Sequence, residues 1–226
     1  MGLVVQGVKP PEPVRDLKDA RIPLIQPDKA LVELANAQPL QTMAESPPQP
    51  SDITNLMFVG AQAQIENAFM LAGWSTAAEL NAASKLETIR AVLEARGYSE
   101  APVSTLLLEG RPPDLVFQKQ LNTFAKRHHL RIWRRTAEYR AHTAWVSAAT
   151  HDIDIDFHPE TRNFTHKIDP DIDKERAKVV HDLAFTGRLA AATFVDRPSA
   201  PKLSRNATGD DLRTDGRMVV LLLKSQ

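Results

Sequence analysis

Residues 143–157, TAWVSAATHDIDIDF, are the stretch that decides the fold. In its second half apolar and polar side chains alternate, so that Trp145 and Ile153 share a parity with His151, whereas Asp152 has the opposite one. A period of two is typical of a β-strand, because successive side chains point to opposite faces of the sheet. The stretch therefore predicts one long strand, with the other elements arranged around it.

Shorter apolar runs bounded by turn residues predict further strands. Asp169 followed by Pro170 predicts a helix start with Asp169 as the N-cap. The final run, 218–223, does not alternate, which predicts a strand buried on both faces. The predicted strands cover 55–60, 103–108, 115–117, 129–134, 189–195 and 218–223, and the predicted helices cover 62–72, 76–97 and 169–187. This pattern indicates an α+β fold with a mostly antiparallel sheet of about six to seven strands and about three helices.

Proline divides the chain into two regions, since nine of the 16 prolines lie in residues 1–50. Proline lacks an amide donor and favours extended backbone before it. We therefore expect a proline-rich extended arm over residues 1–50, with one short helix at 28–37, followed by a single α+β domain over 51–226. The arm either binds along the domain or a protein partner, or forms a poorly ordered tail.

Composition excludes several classes of protein. The 28 basic and 28 acidic residues give zero net charge, which argues against nucleic-acid binding. The absence of cysteine excludes disulfides, thiolate zinc sites and cysteine nucleophiles. No window approaches the roughly 18–20 apolar residues of a transmembrane helix, and no secretory signal is recognisable. We expect a cytoplasmic protein that is either free in the cytoplasm or peripherally attached to a membrane.

All seven histidines lie between residues 128 and 181. By parity, His151 belongs to the apolar face of its strand, and His166 precedes Asp169 in the predicted return strand. Two histidines and a carboxylate suit a divalent metal ion, or a general base with the group that orients it. We predict His151, His166 and Asp169 as catalytic candidates, against the simpler alternatives of a core histidine and a helix cap. The set requires one register, because a slip of one residue moves His166 to the other face.

Charge is segregated in the same region. Residues 119–140 hold seven basic residues and one acid, whereas 151–176 hold eight acids and four bases. Cross-strand ion pairing is the simpler interpretation. The functional one is an anion-binding strand, in which Arg131 contacts a carboxylate or phosphate and Trp133 offers a stacking surface. The alternating aspartates at 152–156 lie about 6.5–7 Å apart on a strand, which indicates a solvated edge and not a calcium loop.

Several motifs occur in a characteristic order along residues 51–195. They include Ala72-Gly73-Trp74, residues 126–133 (KRHHLRIW), residues 148–152 (AATHD) and residues 165–176 (THKIDPDIDKER). This order resembles the LssY C-terminal domain family, whose domain often follows membrane segments similar to lipid-phosphate phosphatases or DedA-type transporters. The resemblance implies no established reaction. The residues it emphasises are Arg111, Arg127, His129, Arg131, Trp133, His151, Asp152, His166, Asp169 and Arg176.

Three functions follow as hypotheses. The first is an accessory or ligand-binding module linked to membrane lipid-phosphate metabolism, which recognises an anionic, phosphate-like group on a small molecule or lipid headgroup. Its candidate ligand-binding residues are Arg111, Arg127, His129, Arg131, Trp133 and Arg176. The second is a metal-dependent hydrolase that uses His151, His166 and Asp169, with metal-bound water as nucleophile. The third is a structural subunit that docks through residues 1–50. No cofactor other than a divalent metal is expected, and the residues do not decide whether the protein is an enzyme.

Overall fold

The computed structural model describes residue 17 and residues 20–76, 106–120, 127–158 and 163–224. Within these ranges there are three α-helices: α1 (Lys29–Asn36), α2 (Gln62–Leu71) and α3 (Ile172–Phe185). The strands are β1 (Gln41–Ala44), β2 (Gln49–Ile53), β3 (Leu56–Val59), β4 (Ser75–Thr76), β5 (Leu106–Leu107), β6 (Leu115–Gln120), β7 (Arg127–Tyr139), β8 (His142–His158), β9 (Asn163–Ile168), β10 (Leu189–Asp196), β11 (Leu203–Arg205), β12 (Asp211–Arg213) and β13 (Arg217–Leu223).

The main sheet has eight strands in the order β10-β13-β3-β8-β7-β6-β4, with β9 paired to β8. β13 and β3 run parallel, and the other pairs of this sheet are antiparallel. Two smaller sheets have the orders β2-β1-β5 and β11-β12. The α+β class with a mostly antiparallel sheet is thus confirmed. The helix predicted over 76–97 lies outside the described residues.

β8 is the long strand that the sequence predicts, and three neighbours pair with it. Its first half lies between β3 and β7, and its second half pairs with β9. Strands predicted over 103–108 and 115–117 correspond to β5 and β6, which belong to different sheets. Because β8 joins so many strands, the side chains along it are the ones that the fold places most firmly.

The main sheet separates two cores. Its front face, which carries Leu130 and Trp145, is covered by α2 and α3. Its back face, which carries Trp133 and Val146, is covered by α1. β13 contributes to both cores, with Val219 and Leu221 in front and Met218 and Val220 behind. The prediction of a final strand buried on both faces is therefore confirmed.

The segment predicted as an extended arm lies against the domain: Leu24 forms a bridge with Ala192 of β10, and the short helix predicted at 28–37 is α1. Asp28 caps α1 through a hydrogen bond that its Oδ1 accepts from the backbone N–H of Leu31 (2.9 Å). β1 and β2 form a hairpin, and β2 crosses the expected boundary at residue 50. Pro47 and Pro48 lie in the turn, and Pro50 lies in the edge strand β2, where proline is tolerated. Prolines therefore shape this hairpin and do not prevent it.

No helix in the described ranges is both long and apolar enough to span a lipid bilayer. α3, with 14 residues, is the longest of the three.

Buried charges attach α3 to the loop before β13. Arg176 is 1% exposed, and its two terminal nitrogens donate to the carboxylate oxygens of Asp215 at 2.9 and 2.8 Å. Asp173 accepts hydrogen bonds from the Thr214 hydroxyl and the Asp215 backbone N–H, both at 2.7 Å. These contacts fix the N-terminal half of α3 on the sheet.

Removal of the Asp215 charge tests this attachment. Burial raises the pKa of Asp215, but its hydrogen bonds and charge interaction with Arg176 outweigh burial and hold the pKa well below the ordinary 3.8. Asp215 and Arg176 therefore stabilise the fold at pH values above about 3.8. This contribution is lost as the pH falls below 3.8 toward the lowered pKa of Asp215. We expect Asp215→Asn to lower the free energy of unfolding by about 1–3 kcal/mol at pH 7. In urea titrations, the difference from wild type should shrink below about pH 4.

The matched control is Asp211→Asn, which removes an exposed partner of Arg205. A surface ion pair contributes less than about 1 kcal/mol, so this variant should resemble wild type. An Asp215→Asn protein as stable as the Asp211→Asn protein at pH 7 would contradict the assigned role.

Candidate functional site

Two histidines face each other on the front face, near the start of β7. β7 and β8 pair so that His128 lies directly opposite His151. Their rings stack, with centroids 4.3 Å apart and an angle of 20° between the planes. Residues directly opposite each other on one face of an antiparallel pair come into side-chain contact. The strand register alone therefore brings these two imidazoles together.

Glu175 of α3 completes the cluster from above. The residues that α3 turns toward the sheet include Ile172, Val179 and Leu183, and Glu175 lies on the same side of the helix. Its carboxyl group is buried, and Oε2 lies 2.7 Å from His128 Nδ1. Helix period and strand register thus place one carboxyl group against two imidazoles in the protein interior.

Burial makes all three groups favour their neutral forms. It lowers the pKa of His128 to about 4, with the positive charge of Lys178 as the next cause. It also lowers the pKa of His151, next to His128, and raises the pKa of Glu175 to about 8. These shifts favour a short hydrogen bond between two neutral groups over an ion pair.

Two polar atoms of this cluster have no partner. Glu175 Oε1 and His151 Nε2 are among the buried side-chain atoms of the described residues that make no hydrogen bond. A buried polar group left in this state costs about 1–3 kcal/mol. Glu175 is only 3% exposed, so solvent does not relieve this cost. The cluster thus offers an acceptor oxygen and a ring nitrogen that the fold itself does not use.

His128, His151 and Glu175 form the one group in the described ranges with the composition and spacing of a metal site. Each residue offers one ligand atom, and the three atoms lie within 4.8 Å of one another. Ligands of one zinc ion lie about 3–4 Å apart, because each bond is about 2.0–2.2 Å long. To hold an ion, the three atoms would have to move together by about an ångström and the two stacked rings would have to turn, because a ring nitrogen binds a metal in the plane of its ring.

His151, predicted as a catalytic residue, belongs to this cluster, whereas Asp169 takes a different role. The backbone N–H of Asp169 donates to the carbonyl of His151 at 2.8 Å, but its carboxylate accepts from the Asp171 backbone N–H and from Lys174. Asp171 is the N-cap residue of α3, so the prediction of Asp169 as N-cap is wrong. The helix begins two residues late, because the Asp169 side chain closes a turn around Pro170 instead.

His166 lies on β9, opposite Ile155 of β8. Ile155 is four residues from His151, so the backbone of His166 is offset from His151 by about 13 Å along the strand. The register of β8 and β9 also shifts between Asp152 and Asp154. The backbone pairing therefore places His128, and not His166, opposite His151.

The back face of the same strands carries a second polar group. His129 Nε2 and Asp152 Oδ2 are 2.7 Å apart, and Arg131 lies 3.6 Å from the carboxylate of Asp52. Asp152 is buried, so the prediction of a solvated aspartate edge is wrong at this position, whereas Asp154 is exposed. Burial raises the pKa of Asp52, and Arg131 partly offsets this rise. Cross-strand contact between β7 and β8, the simpler interpretation, describes His129 and Asp152, whereas Arg131 pairs with Asp52 of β2 in a different sheet.

The predicted anion-binding residues are divided between the two faces. Trp133 is buried, and its Nε1 donates to the carbonyl of Arg111, so it offers no stacking surface. Arg176 lies buried under α3 with Asp215 as its partner, and the exposed Arg111 lies 3.5 Å from Asp114. Arg127, half-buried, lies opposite Asp152 at the start of β7. The predicted anion-binding residues therefore do not come together at one site.

Sequence reasoning missed His128 and Glu175, although both carried a signal. His128 has the parity of Leu130 and Ile132, which predicts the apolar face. Glu175 lies three residues after Ile172 and four before Val179, on the predicted inward stripe of the helix. A titratable side chain at a position reserved for the core is unusual enough to mark a candidate site.

The family comparison agrees with the order of motifs along the chain. The family model described as LssY C-terminus matches residues 36–218. The match contains the front-face cluster, the back-face pairs and all of α3. Neither the curated proteins nor the solved structures give a significant match. Since the matched range covers most of the sequence, the chain belongs to the LssY C-terminus family.

Proposed function

We propose that this domain binds a divalent metal ion, zinc in the first place, through His128, His151 and Glu175. The observation that carries the proposal is the buried carboxyl group between two imidazoles, with Glu175 Oε1 and His151 Nε2 unpartnered. Two histidines and a glutamate are a ligand set found in zinc enzymes. Mixed nitrogen and oxygen ligands also favour zinc and neighbouring transition metals over calcium or magnesium.

A purely structural role explains the cluster less well. Replacing buried polar groups by apolar ones of similar size is often neutral or stabilising, so a core gains nothing from an unsatisfied carboxyl. The surrounding front-face core, with Leu130 and Ala149 on the same strands, is apolar. A bound metal ion would satisfy the two unpartnered atoms at once. Metal binding therefore explains both the composition of the cluster and its unpaired atoms.

The chemistry of the bound ion sets the range of activities. A zinc ion with three protein ligands keeps one coordination position open, where it polarises an oxygen ligand or lowers the pKa of water. Metal-dependent hydrolysis therefore remains a candidate, with His128 and Glu175 joining His151 in place of His166 and Asp169. In this protein His128 and His151 supply neutral nitrogen ligands, and Glu175 supplies the negative charge once its proton leaves.

The metal proposal predicts one bound ion per chain. We expect isothermal titration calorimetry and cobalt absorption spectra to show a stoichiometry of one for the wild-type protein. Glu175→Gln and His151→Ala should each weaken binding by about 100-fold or more, because loss of a second-shell partner alone costs 10–100-fold. The control is His142→Ala, which removes an exposed histidine and should leave the affinity unchanged.

If His142→Ala weakens zinc binding as much as His151→Ala does, then zinc occupies surface histidines. That result, or no binding at all by the wild type, would refute the proposed centre.

Glu175→Gln also separates metal binding from packing. Glutamine can donate a hydrogen bond to His128 Nδ1 as the protonated carboxyl does, so the metal-free variant should unfold within about 1 kcal/mol of wild type. Zinc at about 100 times its dissociation constant should stabilise the wild type by about 2.7 kcal/mol and leave the variant almost unchanged. Urea unfolding with and without zinc measures both quantities. Equal stabilisation of the two proteins would contradict the assignment of Glu175 as a ligand.

A further inference from the structure

Asp182 of α3 gathers three donors at one carboxylate. Its Oδ2 accepts hydrogen bonds from Trp74 Nε1 at 3.0 Å, Lys119 Nζ at 2.9 Å and Lys178 Nζ at 2.7 Å. Lys178 also donates to Oδ1 at 2.8 Å. Because both ammonium groups contact one oxygen, they lie no more than about 6 Å apart. We call Lys119, Lys178 and Asp182 the cationic rim.

The cationic rim adjoins the metal-binding cluster. Glu175, Lys178 and Asp182 are spaced three and four residues apart, so they follow one another on the same side of α3. The Trp74 ring, which donates to Asp182, has its centroid 6.1 Å from that of His128. The rim and the cluster are thus neighbours along α3 and on either side of Trp74.

The rim carries more positive charge than its fold requires. Two ammonium groups share one carboxylate, which leaves an excess of one positive charge. Lys119 and Lys178 are 26% and 33% exposed, so both reach solvent. Each ammonium has three N–H donors. Lys119 uses two of them, for Asp182 and the carbonyl of Ala72, and Lys178 uses two for the carboxylate oxygens of Asp182. Within the described residues, one donor on each lysine is left for a ligand.

We propose that the cationic rim binds an oxyanion of the phosphate class at the open position of the metal centre. The inference rests on the proposed function, since the ion and Glu175 together would add a further positive charge beside the lysines. A phosphate group carries several acceptor oxygens, which suits two converging ammonium donors and an ion. The ligand is therefore still the phosphate-like anion that the sequence predicts, but Lys119 and Lys178 recognise it instead of Arg131 and Arg176.

Phosphate binding to the zinc-loaded full chain tests the inference. After free zinc has been removed, inorganic phosphate and glycerol 1-phosphate are titrated separately by calorimetry. We expect Lys178→Met and Lys119→Met to weaken binding by tenfold or more, and Lys178→Arg to restore most of it. The matched control is Lys174→Met, because Lys174 lies one turn earlier on α3, is 30% exposed and pairs with Asp169. It should change the affinity less than twofold.

The outcomes distinguish the two proposals. Zinc binding without phosphate binding, or equal losses in Lys178→Met and Lys174→Met, would overturn the rim and leave the metal centre. If the wild type binds no zinc, the proposed function fails. In that case phosphate is titrated into the zinc-free chain. Binding that only Lys178→Met and Lys119→Met abolish would still support the rim. No phosphate binding would overturn the rim. Tighter binding of the ester indicates an esterified source such as a lipid headgroup, and tighter binding of inorganic phosphate a free anion.

Discussion

The burial of Glu175 against His128 is the constraint on which the rest of the site depends. A carboxyl group in an apolar core either loses its charge or finds a cation, and here the raised pKa shows that the fold favours the neutral form. α3 cannot easily turn this group toward solvent. Arg176 and Asp173 hold the first half of the helix, and Asp182 holds the second half through Trp74 and Lys119 of β6. The helix therefore keeps the carboxyl in place at both ends.

The pairing of β7 and β8 supplies the other half of the constraint. Leu130 and Ile132 must face the front core, and this requirement fixes the parity of His128 and His129 as well. A slip by one residue would exchange the two histidines between the faces. His128 would then meet Asp152 on the back face, and Glu175 would lose its partner. The apolar pattern of the strands thus determines which histidine lies against Glu175.

Strong periodic patterns made much of this fold predictable. β8, β13 and α3 follow directly from alternation, from a continuous apolar run and from a helical stripe. The structure of the predicted arm did not follow from its prolines. Proline excludes a central strand but not a hairpin at a sheet edge, and residues 41–53 form such a hairpin.

The site was less predictable because it depends on contacts between distant elements. His151 was identified from its parity, but its partners lie 23 residues earlier on β7 and 24 later on α3. The sequence does not state which strand pairs with β8 at His151, and the choice between β7 and β9 decided between His128 and His166. Arg176 and Trp133 illustrate the opposite error. Both are types common in binding sites, yet each is buried and engaged within the fold.

Diffraction from crystals of the full chain grown with zinc, measured on both sides of the zinc absorption edge, would show whether the ion occupies the buried cluster. We expect an anomalous peak about 2.0–2.2 Å from Glu175 Oε1 and His151 Nε2, with His128 as the third ligand. Zinc found only at surface positions, with an ordered water bonded to Glu175 Oε1, would contradict it.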